Sequence, residues 1–204
     1  MTRYQLINKL ITKFNYQTYL EIGVADGSCF NRIEINTKES VDPASDARYV
    51  LAKPTYKMTS DEFFIKNTNT YDIIFIDGLH HSEQVDKDIK NSLGILNEGG
   101  IILLHDCNAV TEISQRVPRE SSYWVGDVWK SIVKYRYETS NLEYGCMTLH
   151  LLPNEQDMSI IKRTLRHTFD VKMPDTLDYN WLDNNRYPAL GLIEDVENFI
   201  NDLK

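Results

Sequence analysis

Tyr19-Leu-Glu-Ile-Gly-Val-Ala-Asp-Gly27 opens as an apolar run that carries the acidic Glu21 and breaks into two glycines four apart, Gly23 and Gly27. Glycine has no Cβ and accepts φ > 0, so the backbone can turn sharply there and come close to a ligand. The stretch predicts a strand running into a nucleoside pocket, with a helix opening just after it. A dinucleotide fingerprint, G-x-G-x-x-G, seats a diphosphate on a helix N-terminus. Here its second glycine is Ala25. The Glu21 carboxylate repels a diphosphate and suits a cationic ligand. An ordinary strand-to-helix turn has the same outline, so the rest of the chain must decide.

At 204 residues the chain fits one domain with a full core. A formal net charge of −8 and a pI near 5.1 argue against a nucleic-acid partner, whose footprint would be basic. Cys29, Cys107 and Cys146 are scattered and lack C-x-x-C spacing, so neither a disulfide framework nor a zinc site is indicated. No apolar run approaches the ~20 residues that a membrane span needs. Met1 to Leu10 carries Gln5, Asn8 and Lys9 where a signal peptide needs an apolar centre. A soluble, unprocessed, cytoplasmic protein is expected.

Tyr4, Ile7, Leu10, Ile11 and Phe14 recur at helical spacing, which predicts a helix over 3–15. Thr18 to Ile22 is the first strand, and Ser28 to Ile35 a short helix capped by Ser28. Glu39-Ser-Val-Asp-Pro43 reads as the tip of a second strand stopped by proline. Asp42 there can accept both hydroxyls of a ribose, although Asp-Pro is also ordinary turn chemistry. Tyr56 to Ser60 suggests a third strand, with Ser60 capping a helix through Asp61, Phe63 and Phe64.

Tyr71-Asp-Ile-Ile-Phe-Ile-Asp-Gly78 is a continuous apolar run ending on Asp77, as a strand buried on both faces should be. Val85, Ile89, Leu93 and Leu96 follow at helical spacing, then Gly99-Gly100, then Ile101 to Leu104 ending on His105-Asp106. This is a βαβ crossover with a second acidic strand tip. Ligands of open parallel sheets bind outside the carboxyl ends of the strands. Glu21, Asp42, Ser60, Asp77 and Asp106 are expected along that one edge. Beyond it the pattern loosens over 108–122, a helix is expected over 126–137 and a closing strand or hairpin over 144–152. The remainder suggests a helix over 159–167, an irregular aromatic piece (Phe169, Tyr179, Trp181, Tyr187) and a last helix over 193–203.

Phe75-Ile-Asp-Gly-Leu-His-His81, Leu104-His-Asp-Cys-Asn108 and Gly126-Asp-Val-Trp-Lys130, added to Glu21-x-Gly23-x-x-x-Gly27, resemble class I S-adenosylmethionine-dependent methyltransferases. The likeness covers 19–152, leaves 153–204 as a C-terminal extension of a single domain, and is to the sugar O-methyltransferases, with viral rhamnose-modifying domains among the relatives that come near. It implies a Rossmann-like fold, a mostly parallel twisted sheet flanked by helices. It also implies S-adenosylmethionine as cofactor, held by Glu21, Gly23 and Gly27 at its methionine part, Asp42 at the ribose, and Ser60 and Asp61 at the adenine, with Ala25 and Asp77 also lining the cofactor. His80 matches a general base, with Asp77 and Asp106 as its catalytic companions. The acceptor is then a small molecule or glycan, a deoxyhexose being one candidate, and a homodimer is compatible with the resemblance.

Asp77 and Asp106 also match positions that hold magnesium in catechol-type relatives. Those enzymes place an oxygen ligand next, where this chain has the soft Cys107. Two carboxylates with waters still suffice for magnesium, so metal dependence stays open. A sugar hydroxyl is a weak nucleophile, and in-line methyl transfer to it needs proton removal, for which a histidine is better matched to neutral pH than an aspartate. His81 and His105 are the alternatives to His80. A phenol acceptor, and a catalytically silent nucleoside-binding domain, are the competing readings; Ala25 and Glu21 disfavour a dehydrogenase.

Overall fold

The computed structural model describes residues 1–43, 53–140, 142, 144–151 and 156–204. Its strands are β1 (Thr18–Ile22), β2 (Thr37–Val41), β3 (Tyr71–Ile76), β4 (Leu96–Leu104), β5 (Gly145–Leu149), β6 (Met158–Lys162) and β7 (Leu192–Ile193). They form one sheet in the order β2-β1-β3-β4-β6-β5-β7. The pairs β1 with β2, β1 with β3 and β3 with β4 are parallel, whereas β6 runs against both β4 and β5. The mostly parallel, helix-flanked sheet expected from the sequence is present.

Alternation along the strands divides the core in two. Leu20, Ile22, Ile74, Ile76, Ile102 and Leu104 face one apolar layer with Trp129, Ile132 and Leu182. These last three come from α4 (Val128–Glu138) and α5 (Tyr179–Leu190). Tyr19, Ile73, Phe75, Ile101 and Leu103 face the other with Leu6, Leu10 and Ile200, from α1 (Arg3–Phe14) and α6 (Val196–Asp202). A strand covered on both faces has no polar side to alternate with, hence the unbroken apolar runs. The crossovers between β2 and β4 carry α2 (Ser60–Lys66) and α3 (Ser82–Ile95).

Several local expectations are corrected. Tyr56 makes a single bridge to Val41 rather than a third strand, and the cap of α2 is Thr59, whose side chain accepts from the Glu62 amide. Ser60 is the first helical residue instead. After Gly27 the chain forms one 3-10 turn, Phe30–Arg32, not a helix; the Ser28 amide is held by Asp26. The span 159–167 is not helical: Met158 to Lys162 is β6, buried throughout and inserted between β4 and β5. Its adjacent isoleucines answer to two packed layers. Of the aromatic piece, Phe169 is in irregular chain as expected, but Tyr179, Trp181 and Tyr187 lie in α5, capped by Asp178 and carrying Pro188 in its last turn. Ile193 belongs to β7, so the final helix starts at Val196. The closing element of 144–152 is β5; Leu152 lies outside the described residues.

Candidate active site

Ile22, Val41, Ile76 and Leu104 stand level across β2-β1-β3-β4, and the next residue of each strand leaves the sheet on the same edge. Asp42 and Asp77 are those next residues, Asp106 lies one further on and Glu21 is the last but one residue of β1, so the four carboxylates gather at one rim. Gly23 has φ +85, and a Cβ built there would lie 2.1 Å from the Asp77 carbonyl oxygen. No side chain fits between these two tips. Ala25 and Asp106 also sit at positive φ, 48° and 58°, which an ordinary L residue adopts only when its surroundings impose it.

The loop after β1 is tied to the second strand tip. Asp42 accepts hydrogen bonds from the Val24 and Ala25 amides at 2.9 and 3.2 Å. Glu21 is buried and accepts from the Tyr19 hydroxyl. Burial pushes its carboxyl up to about 8, against that hydrogen bond and the charges of Arg3 and Lys38. Ser60 and Asp61 are reached from α3, where Gln84 Nε2 donates to Ser60 Oγ at 3.2 Å and Asp61 Oδ1 at 3.0 Å.

The centre of the rim is a charge cluster. His80 Nε2 lies 3.4 Å from Asp77 Oδ1 and His80 Nδ1 3.1 Å from Asp106 Oδ2. His105 Nδ1 lies 3.2 Å from Asp77 Oδ1 and 3.5 Å from Asp106 Oδ2. Arg3 approaches the other oxygen, Asp77 Oδ2, at 3.6 Å. Burial opposes charge on His105, yet Asp77 and Asp106 outweigh it and push the imidazole up to about 10. His80 is raised for the same reasons. Burial would lift the Asp77 carboxyl, but His105 and His80 hold it well below the usual range. Trp124 stacks on the His80 ring, centroids 5.2 Å apart and planes 18° from parallel.

The donor set also fits a divalent cation. One ligand atom each from Asp77, His80 and Asp106 lies within 4.8 Å of the others, and the buried Asp106 Oδ1 has no hydrogen-bond partner. Cys107 adds nothing to such a site: its thiol donates to the Leu104 and His105 carbonyls, and burial pushes it well above its ordinary value.

The sequence reading missed Arg3, Trp124 and Gln84. Trp124 stands two residues before the Gly126-Asp127 motif, which is the one signal that marks it. Arg3 and Gln84 look like ordinary polar positions of amphipathic helices.

The fold is the Rossmann-like architecture found in methyltransferases, and residues 20–107 match the family model described as a methyltransferase domain. That match runs from β1 to just past the tip of β4. Among solved structures, the chain is similar to the O-methyltransferase TomG from Streptomyces achromogenes, involved in tomaymycin synthesis and crystallised with S-adenosylmethionine. The identity is 12%, the coverage 80% of each chain and the TM-score 0.54. The methyltransferase PaMTH1 of Podospora anserina, bound to S-adenosylhomocysteine, is 17% identical over 80% of this chain and 79% of its own, with TM-score 0.53. The N-methyltransferase NodS from Bradyrhizobium japonicum is 13% identical over 80% and 95%, with TM-score 0.51. No curated protein sequence matches the chain. Among the described residues no helix is long and apolar enough to cross a membrane.

Proposed function

We propose that this chain is an S-adenosylmethionine-dependent O-methyltransferase whose acceptor is a sugar hydroxyl and whose general base is His80. The observation that carries the reading is the clamping of one imidazole between two carboxylates at adjacent strand tips, with an aromatic ring on its face. Binding of the donor falls to the loop after β1: Gly23 lets the chain pass beneath the methionine part, Glu21 offers negative charge to a ligand bearing a sulfonium and an ammonium, and Asp42 offers its carboxylate to the ribose. Ser60 and Asp61 take the adenine.

The methyl donor is already activated, so the protein must align the acceptor oxygen in line with the sulfonium and remove its proton as it attacks. His80 takes that proton on a ring nitrogen. Asp77 and Asp106 stabilise the imidazolium that forms, and Trp124 fixes the ring plane and offers a flat face beside it. If a divalent ion is bound, Asp77, Asp106 and His80 would hold it, and it would supply positive charge beside the acceptor oxygen.

Turnover is to be measured with methyl α-L-rhamnoside, other methyl glycosides and catechol, with and without chelator. His80→Ala should lower kcat by about 10²- to 10⁴-fold and leave S-adenosylhomocysteine affinity unchanged, since a general base acts on the transition state. A near-normal rate in His80→Ala refutes the base. Activity abolished by chelator and restored by a divalent ion assigns the proton removal to the metal instead.

A further inference from the structure

The motif Gly126-Asp-Val-Trp-Lys130 has no part in the reading above, yet it lies against the His80 turn. The Asp127 amide donates to the His80 carbonyl at 3.1 Å. Asp127 Oδ1 accepts from the Ser82 amide at 2.7 Å and Oδ2 from the Ser82 hydroxyl at 3.1 Å. Lys130 Nζ, 3.1 Å from Asp127 Oδ2, holds the carboxylate in turn, and the Ser131 hydroxyl donates to the Ser82 carbonyl at 2.8 Å. The first turn of a helix leaves amides without intrahelical partners, and the residue before it normally satisfies one of them. In α3 that residue is His81, whose side chain makes no capping hydrogen bond. The cap comes from Asp127, on the far side of the crossover.

Gly126 makes the approach possible. It has φ +64, and a Cβ built on it would lie 1.9 Å from the His80 carbonyl oxygen and 2.5 Å from the His80 Cβ. Backbone therefore packs on backbone at the base itself, with room for no other residue. The same segment delivers Trp124 to the His80 ring.

We propose that Gly126 and Asp127 are positioning residues that cap α3 from outside and thereby fix His80 between Asp77 and Asp106. The proposal rests on the reading of His80 as the base. Capping by a remote carboxylate ties the base to the start of α4, so the geometry of proton removal depends on how α3 and α4 pack. A base displaced by a fraction of an ångström to 1 Å loses rate without loss of donor binding.

The test compares Asp127→Ala and Asp127→Asn with Asp86→Ala, which removes the 2.7 Å Lys134–Asp86 bridge elsewhere between α3 and α4 and controls for general loosening of that packing. Turnover uses the acceptors above; S-adenosylhomocysteine binding is read by calorimetry, and hydrogen exchange of the Ser82 amide needs no acceptor at all. Asp127→Ala should speed Ser82 exchange, lower kcat by about 10- to 100-fold and leave cofactor affinity unchanged. Asp127→Asn keeps an oxygen for the Ser82 amide and should retain most turnover. Asp86→Ala should turn over normally, and Asp127→Ala combined with His80→Ala should be no slower than His80→Ala alone, because the two act as one unit. Unchanged Ser82 exchange in Asp127→Ala, or normal turnover there while His80→Ala is slow, overturns the proposal and leaves the base standing. A joint loss of turnover and cofactor binding also overturns it. A fast His80→Ala removes the base reading and this proposal together.

Discussion

Replacing Glu21 by glutamine should stabilise the protein without cofactor while weakening its hold on the cofactor. The residue is 1% exposed, and burial carries its carboxyl from its ordinary 4.5 up to about 8. In the unfolded chain it ionises at its ordinary value, whereas in the folded chain it keeps its proton several pH units longer. Across that window the folded state binds more protons, so stability falls as pH rises from 4.5 and levels off above about 8. Each pH unit costs about 1.4 kcal/mol. The native glutamate therefore destabilises the apo protein by roughly 1 kcal/mol at about pH 5, roughly 3 at about pH 7 and roughly 5 at about pH 9. Glutamine has no such titration and keeps an oxygen for the Tyr19 hydroxyl. Urea denaturation of both proteins at the three pH values should show the advantage of Glu21→Gln growing in that order. Calorimetry in buffers of different ionisation enthalpy should show S-adenosylmethionine binding near neutral pH expelling a proton from wild type and none from the variant. A variant less stable than wild type at about pH 7, or an advantage that does not grow with pH, refutes the reasoning.

Gly23→Ala should be severe, because φ +85 and a 2.1 Å approach to the Asp77 carbonyl meet backbone that cannot yield; a loss of at least about 3 kcal/mol is expected. Gly94→Ala in α3, where an added Cβ meets nothing within 4 Å, should instead gain about 0.5–1 kcal/mol, and equal denaturation midpoints for the two variants would contradict the packing argument. Asp42→Ala frees the Val24 and Ala25 amides and removes the carboxylate proposed to hold the ribose, so S-adenosylhomocysteine should bind more weakly by about 1.5–3 kcal/mol. Asp42→Asn, which keeps one acceptor, should fall between. Calorimetry that finds Asp42→Ala binding as wild type does would remove that residue from the cofactor site.

The inner strands of the rim, β1, β3 and β4, were legible because their apolar runs are buried on both faces, whereas the edge strand β2 is covered only at its end. Ile73 to Ile76 and Ile101 to Leu104 are apolar at every position, and the carboxylate that follows each run marks its tip. Periodicity failed where burial and local propensity disagree. Met158 to Lys162 is as buried as any strand here, but short and flanked by polar residues, and its pair of isoleucines fits a helical stripe as well as a strand. Tyr179 to Leu190 failed in the opposite sense. Its polar residues and Pro188 look irregular, whereas the Asp178 cap and Pro188's place in the last turn leave the helix intact.

The site divides along a different line. Residues that reach the rim through their own strand, Glu21, Asp42, Asp77 and Asp106, follow from parallel topology alone, since one edge collects every carboxyl end. Residues that reach it through another element carry no such mark. Arg3 arrives from the first turn of α1, Trp124 and Asp127 from the segment that leads into α4, and only the packing of those elements on the sheet brings them to Asp77 and His80. For Asp127 the decisive fact is an omission at a distance. The His81 side chain does not cap α3, and the acceptor that the Ser82 amide finds instead is fastened to the His80 backbone. A missing local cap next to a candidate base is thus a structural reason to look for a remote carboxylate, and the glycine before Asp127 is where the backbone comes close enough to deliver it.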